Sequence, residues 1–267
     1  MNIALPRAIN REAYRRIHLE YLRKLFEAGG ASVSWLEQNT SIDDSKFYAV
    51  IDTLKVVFDF CDFSSEFSKQ GTTPYFKFHY DSTNEAYGPS MMPFPPVSFY
   101  EWDRFLELRN KITYRAEGGV GFRQQPYGDA VQRRSNMLAR LKSQYAGRAL
   151  TEILPQEEYW KAIDSELVQV FVPGCRPGIL DRGHLQCMAF GHCTISATIS
   201  DRLPCDVLIP GEDYVVCADD YSDVFERVQW CADNRTECMQ IGRNARDKFD
   251  RNCDPRKVVA YVGGMLQ

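Results

Sequence analysis

The segment from Gly178 to Ser196 constrains the fold more than any other part of the chain. It combines a loop, a short helix, a glycine stop and a strand-like run. Leu185, Met188 and Ala189 recur at helical spacing and share one apolar face, and Gly191 supplies the left-handed residue that often ends a helix. The residues after this glycine are rich in Thr, Ile and Ser, which favour strands. This order of elements predicts an α/β domain.

Polar residues gather at the start of the helix in this segment. Asp181 can act as its N-cap, because an Asp carboxylate accepts hydrogen bonds from the first backbone N–H groups. Arg182, Gly183 and His184 follow directly. Exposed N–H groups and the helix dipole favour an anion at this position, so a phosphate or pyrophosphate is the expected ligand. The alternative is an ordinary amphipathic helix of an α/β domain.

Composition and charge exclude several classes of function. The formal net charge of -4 gives no global reason to expect nucleic acid or an anionic membrane as partner. No window approaches the roughly 18 consecutive apolar residues that a membrane span needs. The N-terminal residues, Met1 to Arg16, do not have the pattern of a secretory signal. We therefore expect a soluble, cytoplasmic protein.

The cysteine pattern does not predict a metal centre. The chain has nine cysteines without a C-x-x-C pair, and all but one lie at or after Cys175. This spacing differs from that of structural zinc sites. Reduced, partly buried thiols are expected, and no metal site and no cofactor is predicted.

The N-terminal half reads as strands and helices in alternation. A helical repeat from Arg11 to Ala28 ends at Gly29-Gly30, a strand-like alternation covers Ala31 to Leu36, and Val56 to Phe60 is a continuous apolar run. This order predicts a parallel, doubly wound sheet. The half has no glycine-rich phosphate motif, so it is expected to hold an acceptor rather than a nucleotide.

Asp81 is the candidate general base of this half. It stands at the end of a strand-like run from Pro74 to Asp81, and ligands of open α/β sheets bind beyond the carboxyl ends of strands. The alternative is an Asp that starts a turn.

The second half contains a basic, glycine-rich stretch. A short strand is predicted at Lys111 to Tyr114, a glycine-rich turn at Arg115 to Gly121, and a basic helix at Asp129 to Lys142. Arg123 and Arg133 stand where a backbone could approach and neutralise a phosphate. The alternative is a solvated helix face. We predict two domains, residues 1–108 and 109–267, with the last helix able to pack back on the first.

Residues 110–262 resemble the nucleotide-sugar-binding domain of GT-B glycosyltransferases, with the exostosin-like and the capsule and protein O-glucosyltransferase groups as the nearest types. The resemblance is carried by DRGHLQCMAFGHCTIS (Asp181–Ser196), LIPGEDYVVCADDYSDVFERVQW (Leu208–Trp230), IGRNARDKF (Ile241–Phe249) and FRQQPYGDAVQRR (Phe122–Arg134). It implies an α/β, GT-B-like fold with two small Rossmann-like domains facing a cleft.

The resemblance also implies roles for individual residues. Arg182, with the backbone of Gly183 and His184, matches the segment that faces the donor diphosphate. Arg123 and Arg133 match basic positions that balance leaving-group charge. Gln186 stands where many retaining members have a glutamate, and the position eight residues earlier is glycine. An inverting mechanism with Asp81 as base is therefore expected.

The function that follows is transfer of a sugar from a UDP-sugar to a glycan hydroxyl, by a hexosyl- or pentosyltransferase. Xylose and glucose are the sugars that the resemblance favours. No Asp-x-Asp occurs in the chain, so a metal-independent reaction is expected, with arginines and a helix N-terminus stabilising the leaving group. The first alternative is a non-catalytic nucleotide- or glycan-binding module of the same fold. A dehydrogenase is a further alternative, although G-x-G-x-x-G is missing after the first strand.

Overall fold

The computed structural model describes residues 1–7, 13–37, 40–42, 45–67, 71–96 and 102–267. The chain forms two compact units. The first unit consists of Met1–Phe105, Arg202–Asp206 and Arg251–Gln267, and the second of Leu106–Asp201 and Val207–Asp250. In the described residues, no helix combines the length and the apolar character needed to cross a membrane.

The first unit is built around a six-stranded sheet in the order β2-β1-β3-β4-β5-β6. Its elements are β1 (Asn2–Pro6), α1 (Ala13–Ala28), β2 (Ser32–Leu36), β3 (Lys46–Ile51), β4 (Leu54–Asp59), β5 (Tyr75–Lys77) and β6 (Met91–Pro93), and helix α2 (Trp102–Lys111) leads into the second unit. The predicted helix started at Arg11, which lies outside the described residues.

The sheet of the first unit is mixed, whereas the sequence predicted a parallel one. Strands β1 and β2 are parallel, as are β4, β5 and β6, but β3 is antiparallel to both β1 and β4. The reason is the tight turn at Asp52, whose φ of 52° lets β3 fold directly back into β4. A connection this short joins antiparallel strands only.

The last helix of the chain, α8 (Pro255–Met265), belongs to the first unit, where it packs against α1. Gly29 permits this contact, because a Cβ there would lie 2.5 Å from the carbonyl oxygen of Pro255. The hydroxyl of Tyr261 donates to the carbonyl of Pro93 over 3.0 Å. Asp254 caps the helix by accepting from the N–H groups of its first turn.

The second unit has a five-stranded sheet in the order β11-β10-β9-β7-β8, in which every pair is parallel. The elements are β7 (Gly119–Gly121), α3 (Val131–Gln144), β8 (Ala149–Leu150), α4 (Gln156–Ala162), β9 (Glu166–Phe171), α5 (Arg182–Ala189), β10 (Thr194–Ser196), β11 (Val215–Val216), α6 (Val224–Asp233) and α7 (Arg235–Asn252). The predicted α/β class with two small Rossmann-like units is confirmed.

Two local predictions at the start of the second unit are wrong. The strand predicted at Lys111 to Tyr114 does not form. Lys111 is the last residue of α2, and the residues up to Tyr114 follow it without regular structure, although Ile112 and Tyr114 are both buried. Gly119, Val120 and Gly121, which were predicted to belong to a turn, form strand β7. A Cβ on Gly119 would lie 2.5 Å from the carbonyl oxygen of Arg148, so the small residues allow neighbouring strands to approach closely.

Candidate functional site

The candidate site lies at the carboxyl edge of the sheet of the second unit. Because β7, β8 and β9 are parallel, the loops after them all leave from this edge. Together with the first turns of α3, α4 and α5 they surround a pocket of about 310 Å³, which we call the α5 pocket. Ligands of open α/β sheets bind at this edge. The pocket contains four of the predicted site residues: Arg123, Asp181, Gly183 and Gln186.

Asp181 is the N-cap of α5, as predicted from the sequence. Its Oδ1 accepts from the N–H of Gly183 over 2.9 Å. Its Oδ2 accepts from Arg134 over 2.9 Å and from Gln124 over 3.2 Å. The carboxylate therefore accepts from one of the N–H groups that the sequence predicted to bind a phosphate. It also holds the side chains of Arg134 and Gln124 at the pocket wall.

Arg134 connects three segments of the pocket wall by hydrogen bonds. Its guanidinium is buried and donates to Asp181, to the carbonyl of Val172 over 3.1 Å and to the carbonyl of Gln125 over 3.1 Å. It also lies 5.3 Å from the ring centre of the exposed Tyr127, within cation–π distance. One side chain thus fixes the loops after β7 and β9 and the start of α5.

Arg123 presents a second guanidinium to the pocket. Its Nε donates to Oε1 of Glu166 over 2.8 Å, and Nη1 donates to the carbonyl of Glu152 over 3.0 Å. Within the described part of the chain, Nη2 of Arg123 has no protein acceptor. This nitrogen is therefore a donor for a ligand.

Glu166 starts β9 and is fully buried. Burial raises the pKa of its carboxyl to about 7, although Arg123 acts in the opposite direction. Gly121 makes room for the carboxylate, since a Cβ there would lie 2.3 Å from Oε2. The net charge around the pocket therefore changes near neutral pH.

Amide and hydroxyl groups complete the wall. The amide oxygen of Gln186 accepts from the indole of Trp160 over 3.0 Å, which leaves its N–H groups directed at no acceptor among the described residues. Tyr159 donates to the amide oxygen of Gln169 over 3.1 Å. Such groups suit a ligand with hydroxyls and phosphate oxygens.

The other predicted donor-site residues do not line this pocket. Arg133 is exposed, and donates to the carbonyls of Pro173 and Gly174. Arg182 is half-buried in the first turn of α5. The side chain of His184 is buried and stacks on Phe171 with 5.0 Å between ring centres. Burial lowers the pKa of His184 to about 3, so its imidazole is neutral.

Asp81, the predicted base, belongs to the first unit and follows β5 by a short loop. Its Oδ1 accepts from both the N–H and the hydroxyl of Thr83, over 3.0 and 2.7 Å. This is the geometry of an Asx turn, the alternative that the sequence left open. The side chain is partly exposed.

Sequence reasoning missed several residues of the site. Glu166 directly precedes the apolar run of β9. The signal in the sequence was a single charged residue at the start of a buried strand. Arg134 was given no role of its own, and its neighbour Arg133 was chosen as the phosphate contact, yet Arg133 is the exposed one of the two.

Three buried cysteines also come together, although their spacing in sequence gave no sign of it. The sulfur atoms of Cys193, Cys231 and Cys238 lie within 4.8 Å of one another. They sit in the apolar core of the second unit. Hydrogen bonds from Cys193 and Cys231 lower the pKa of Cys238, whereas burial and the like charge of Glu237 act in the opposite direction. The three thiols lie among apolar side chains, where cysteines pack as small apolar groups.

Comparison with known proteins finds similarity among solved structures. No family model matches the chain, and no curated protein matches it. Among similar solved structures is that of Anabaena Alr3699/HepE in complex with UDP and glucose, with 9% sequence identity and a TM-score of 0.48. The similarity covers 68% of this chain and 58% of that chain.

Proposed function

We propose that the α5 pocket binds the diphosphate of a UDP-sugar and that the protein transfers the sugar to a hydroxyl of a glycan. The observation that supports this most directly is the pair Arg123 and Arg134 beside the N-terminus of α5, at the carboxyl edge of a parallel sheet. Guanidinium groups recognise phosphate through directed hydrogen bonds. The resemblance of residues 110–262 to GT-B donor domains supports the same ligand, with xylose or glucose as the sugar.

The pocket residues take distinct roles in this proposal. Arg123 contacts the diphosphate through Nη2 and stabilises the charge that develops as it departs. Gln186 donates its amide hydrogens to a hydroxyl of the ribose or the sugar. The acceptor oxygen attacks the anomeric carbon, the bond from that carbon to the phosphate oxygen breaks, and UDP leaves. The acceptor proton passes to the carboxylate of Asp81. The proposed reaction inverts the anomeric configuration and needs no metal ion.

A second candidate function is a non-catalytic nucleotide- or glycan-binding module. The turn at Asp81 favours it, because Oδ1 already accepts two hydrogen bonds from Thr83. A carboxylate that only starts a turn would leave the first unit without the proposed base.

Ligand binding is tested by a thermal-shift screen against UDP-, GDP- and ADP-sugars, since a ligand of the native state raises the melting temperature by mass action. We expect UDP-sugars to give the largest shift. Arg123→Ala should weaken their binding by about tenfold, which corresponds to loss of one charged hydrogen bond of about 1.5 kcal/mol. Arg227→Ala is the matched control, because Arg227 is exposed and pairs with Asp223 on α6. Equal affinities in both variants would refute the role of Arg123.

Catalysis is tested separately with Asp81→Asn. This change should abolish release of UDP from UDP-xylose or UDP-glucose in the presence of glycoside acceptors, while UDP binding stays near wild type. Loss of a general base costs about 10²- to 10⁴-fold in rate. Unchanged turnover would remove Asp81 from the mechanism, and a wild-type protein that binds UDP-sugars without turnover would establish the binding module.

A further inference from the structure

Glu166 and His192 face each other behind Arg123, in the interior of the second unit. Both side chains are fully buried, and Oε2 of Glu166 lies 3.5 Å from Nε2 of His192. Neither atom has a hydrogen-bond partner among the residues that the structure describes. Two buried polar atoms without partners are costly, so their direct apposition requires an explanation.

The tautomer of His192 shows that the pair lacks a proton between Oε2 of Glu166 and Nε2 of His192. Its Nδ1 lies 2.6 Å from the carbonyl oxygen of Cys193, and a carbonyl oxygen can only accept, so Nδ1 carries the proton. A neutral ring then presents the lone pair of Nε2 to Glu166. An ionised Glu166 would set two lone pairs against each other in an apolar interior. One proton, on either Oε2 or Nε2, turns this repulsion into a hydrogen bond.

Apart from Arg123, the groups described next to the pair are uncharged. Arg123 is therefore the charge that determines whether the pair holds its proton. The phenol of Tyr159 and the thiol of Cys187 both come within the field of Glu166, and burial raises the pKa of each, so they remain neutral. The ring of Tyr114 packs 4.4 Å from that of His192. Burial lowers the pKa of His192 to about 4 and raises that of Glu166.

We propose that Glu166 and His192 share one proton, and that binding of a diphosphate at Arg123 draws this proton into the pair from solvent. Arg123 connects the two events, because its Nε donates to Glu166 while its side chain lines the α5 pocket. The identity of the ligand rests on the proposed function, whereas the shared proton does not. Glu166 is thus a positioning residue that acts through Arg123.

The sign of the coupling follows from the charges. An ionised Glu166 neutralises Arg123 and repels a diphosphate, so affinity is highest where the pair holds its proton. Affinity should fall as the pH rises through about 7, the pKa of the Glu166 carboxyl in the free protein. One coupled proton changes affinity by at most about tenfold per pH unit.

Calorimetry with UDP-glucose measures the coupling. This probe is suitable because both of its phosphates stay fully charged across the range. Titrations at pH 7.5 in buffers of different ionisation enthalpy should show uptake of about half a proton per bound ligand by the wild type. Affinity should fall about tenfold or less between pH 6.5 and 8. Inorganic pyrophosphate serves as a second probe of binding alone, because its own protons titrate within this range.

Glu166→Gln is the decisive variant. Its amide oxygen can still accept from Arg123, and its N–H can donate to Nε2 of His192, so it imitates the protonated state. It should bind UDP-glucose at pH 8 at least as tightly as the wild type, take up no proton, and show a flat pH profile. Glu158→Gln is the control, since Glu158 is exposed and pairs with Lys161 on α4; it should keep the wild-type profile.

A ligand-free measurement separates this proposal from the proposed function. In protein labelled with ¹³C at the glutamate carboxyls, one resonance should titrate near pH 7 and be missing from Glu166→Gln. Titration of that resonance in the ordinary glutamate range would overturn the shared proton, whatever the pocket binds. A resonance that titrates near 7 in a protein that binds neither probe would overturn the coupling and the proposed function, but not the proton pair. A variant that keeps the wild-type proton uptake would overturn the role of Glu166.

Discussion

Arg133 and Arg134 provide a test of how the pocket is held together, because they are adjacent on α3 and differ in burial. Arg134 is buried and donates to Asp181 and to two carbonyls. Arg133 is exposed and donates to carbonyls of the loop after β9. Replacement of each by Ala removes the same atoms from two different environments.

The expected cost for Arg134→Ala can be worked out from these contacts. Removal of one partner of a buried ion pair costs about 3–5 kcal/mol. The side chain of Asp181 keeps 25% of its surface exposed, so water partly replaces the lost partner, and the lower end, about 3 kcal/mol, applies. For a unit of this size this lowers the melting temperature by about 6–12 °C. Arg133→Ala should cost less than about 1 kcal/mol.

The assay is thermal and urea unfolding of both variants beside the wild type. Arg134→Ala should also lose UDP-glucose binding, because the loops after β7 and β9 and the start of α5 lose their common partner. If the free energies of unfolding of the two variants differed by less than about 1 kcal/mol, Arg134 would not be the residue that stabilises the α5 pocket. If Arg133→Ala alone weakened ligand binding, the contact to the donor would belong to Arg133, as the sequence predicted.

Two further predictions concern stability. Gly121→Ala should destabilise the protein by about 1–3 kcal/mol in urea unfolding, because its Cβ would meet the carboxylate of Glu166 at 2.3 Å; Gly88→Ala, with nothing within 4 Å, should be neutral, and equal effects would contradict the close approach. The neutral imidazole of His184 should make the free energy of unfolding fall as the pH drops from about 6.5 toward 3, by at most about 1.4 kcal/mol per pH unit from this residue, and His192 should add to the fall. His184→Gln should remove one proton from this dependence, and an unchanged slope would show that His184 titrates normally.

The sequence predicted the local features around α5 well. The helix from Arg182 to Ala189, its Asp181 cap and the strand after Gly191 all follow from residues close together in the chain. Their signals are periodicity, a capping side chain and a left-handed glycine, and each acts over a few residues. The position of a pocket beyond the strand ends follows from the parallel topology.

The rest of the site depends on contacts that no local pattern encodes. Arg123 and Glu166 are 43 residues apart, and their pairing requires β7 and β9 to be neighbours in the sheet. The glycines at 119–121 look the same in sequence whether they approach a phosphate or a neighbouring strand. Register and strand order decide between these roles, and both arise only when the sheet forms.

The return of α8 to the first unit has a consequence for how the chain is made. Residues 106–250 contain the whole of the second unit, so this unit can complete its core before α8 is translated. The first unit, whose sheet precedes the second unit in the chain, lacks the helix that covers Gly29 until α8 has been made. The first unit is therefore completed after the second, and the face of α1 that packs against α8 stays uncovered in the meantime.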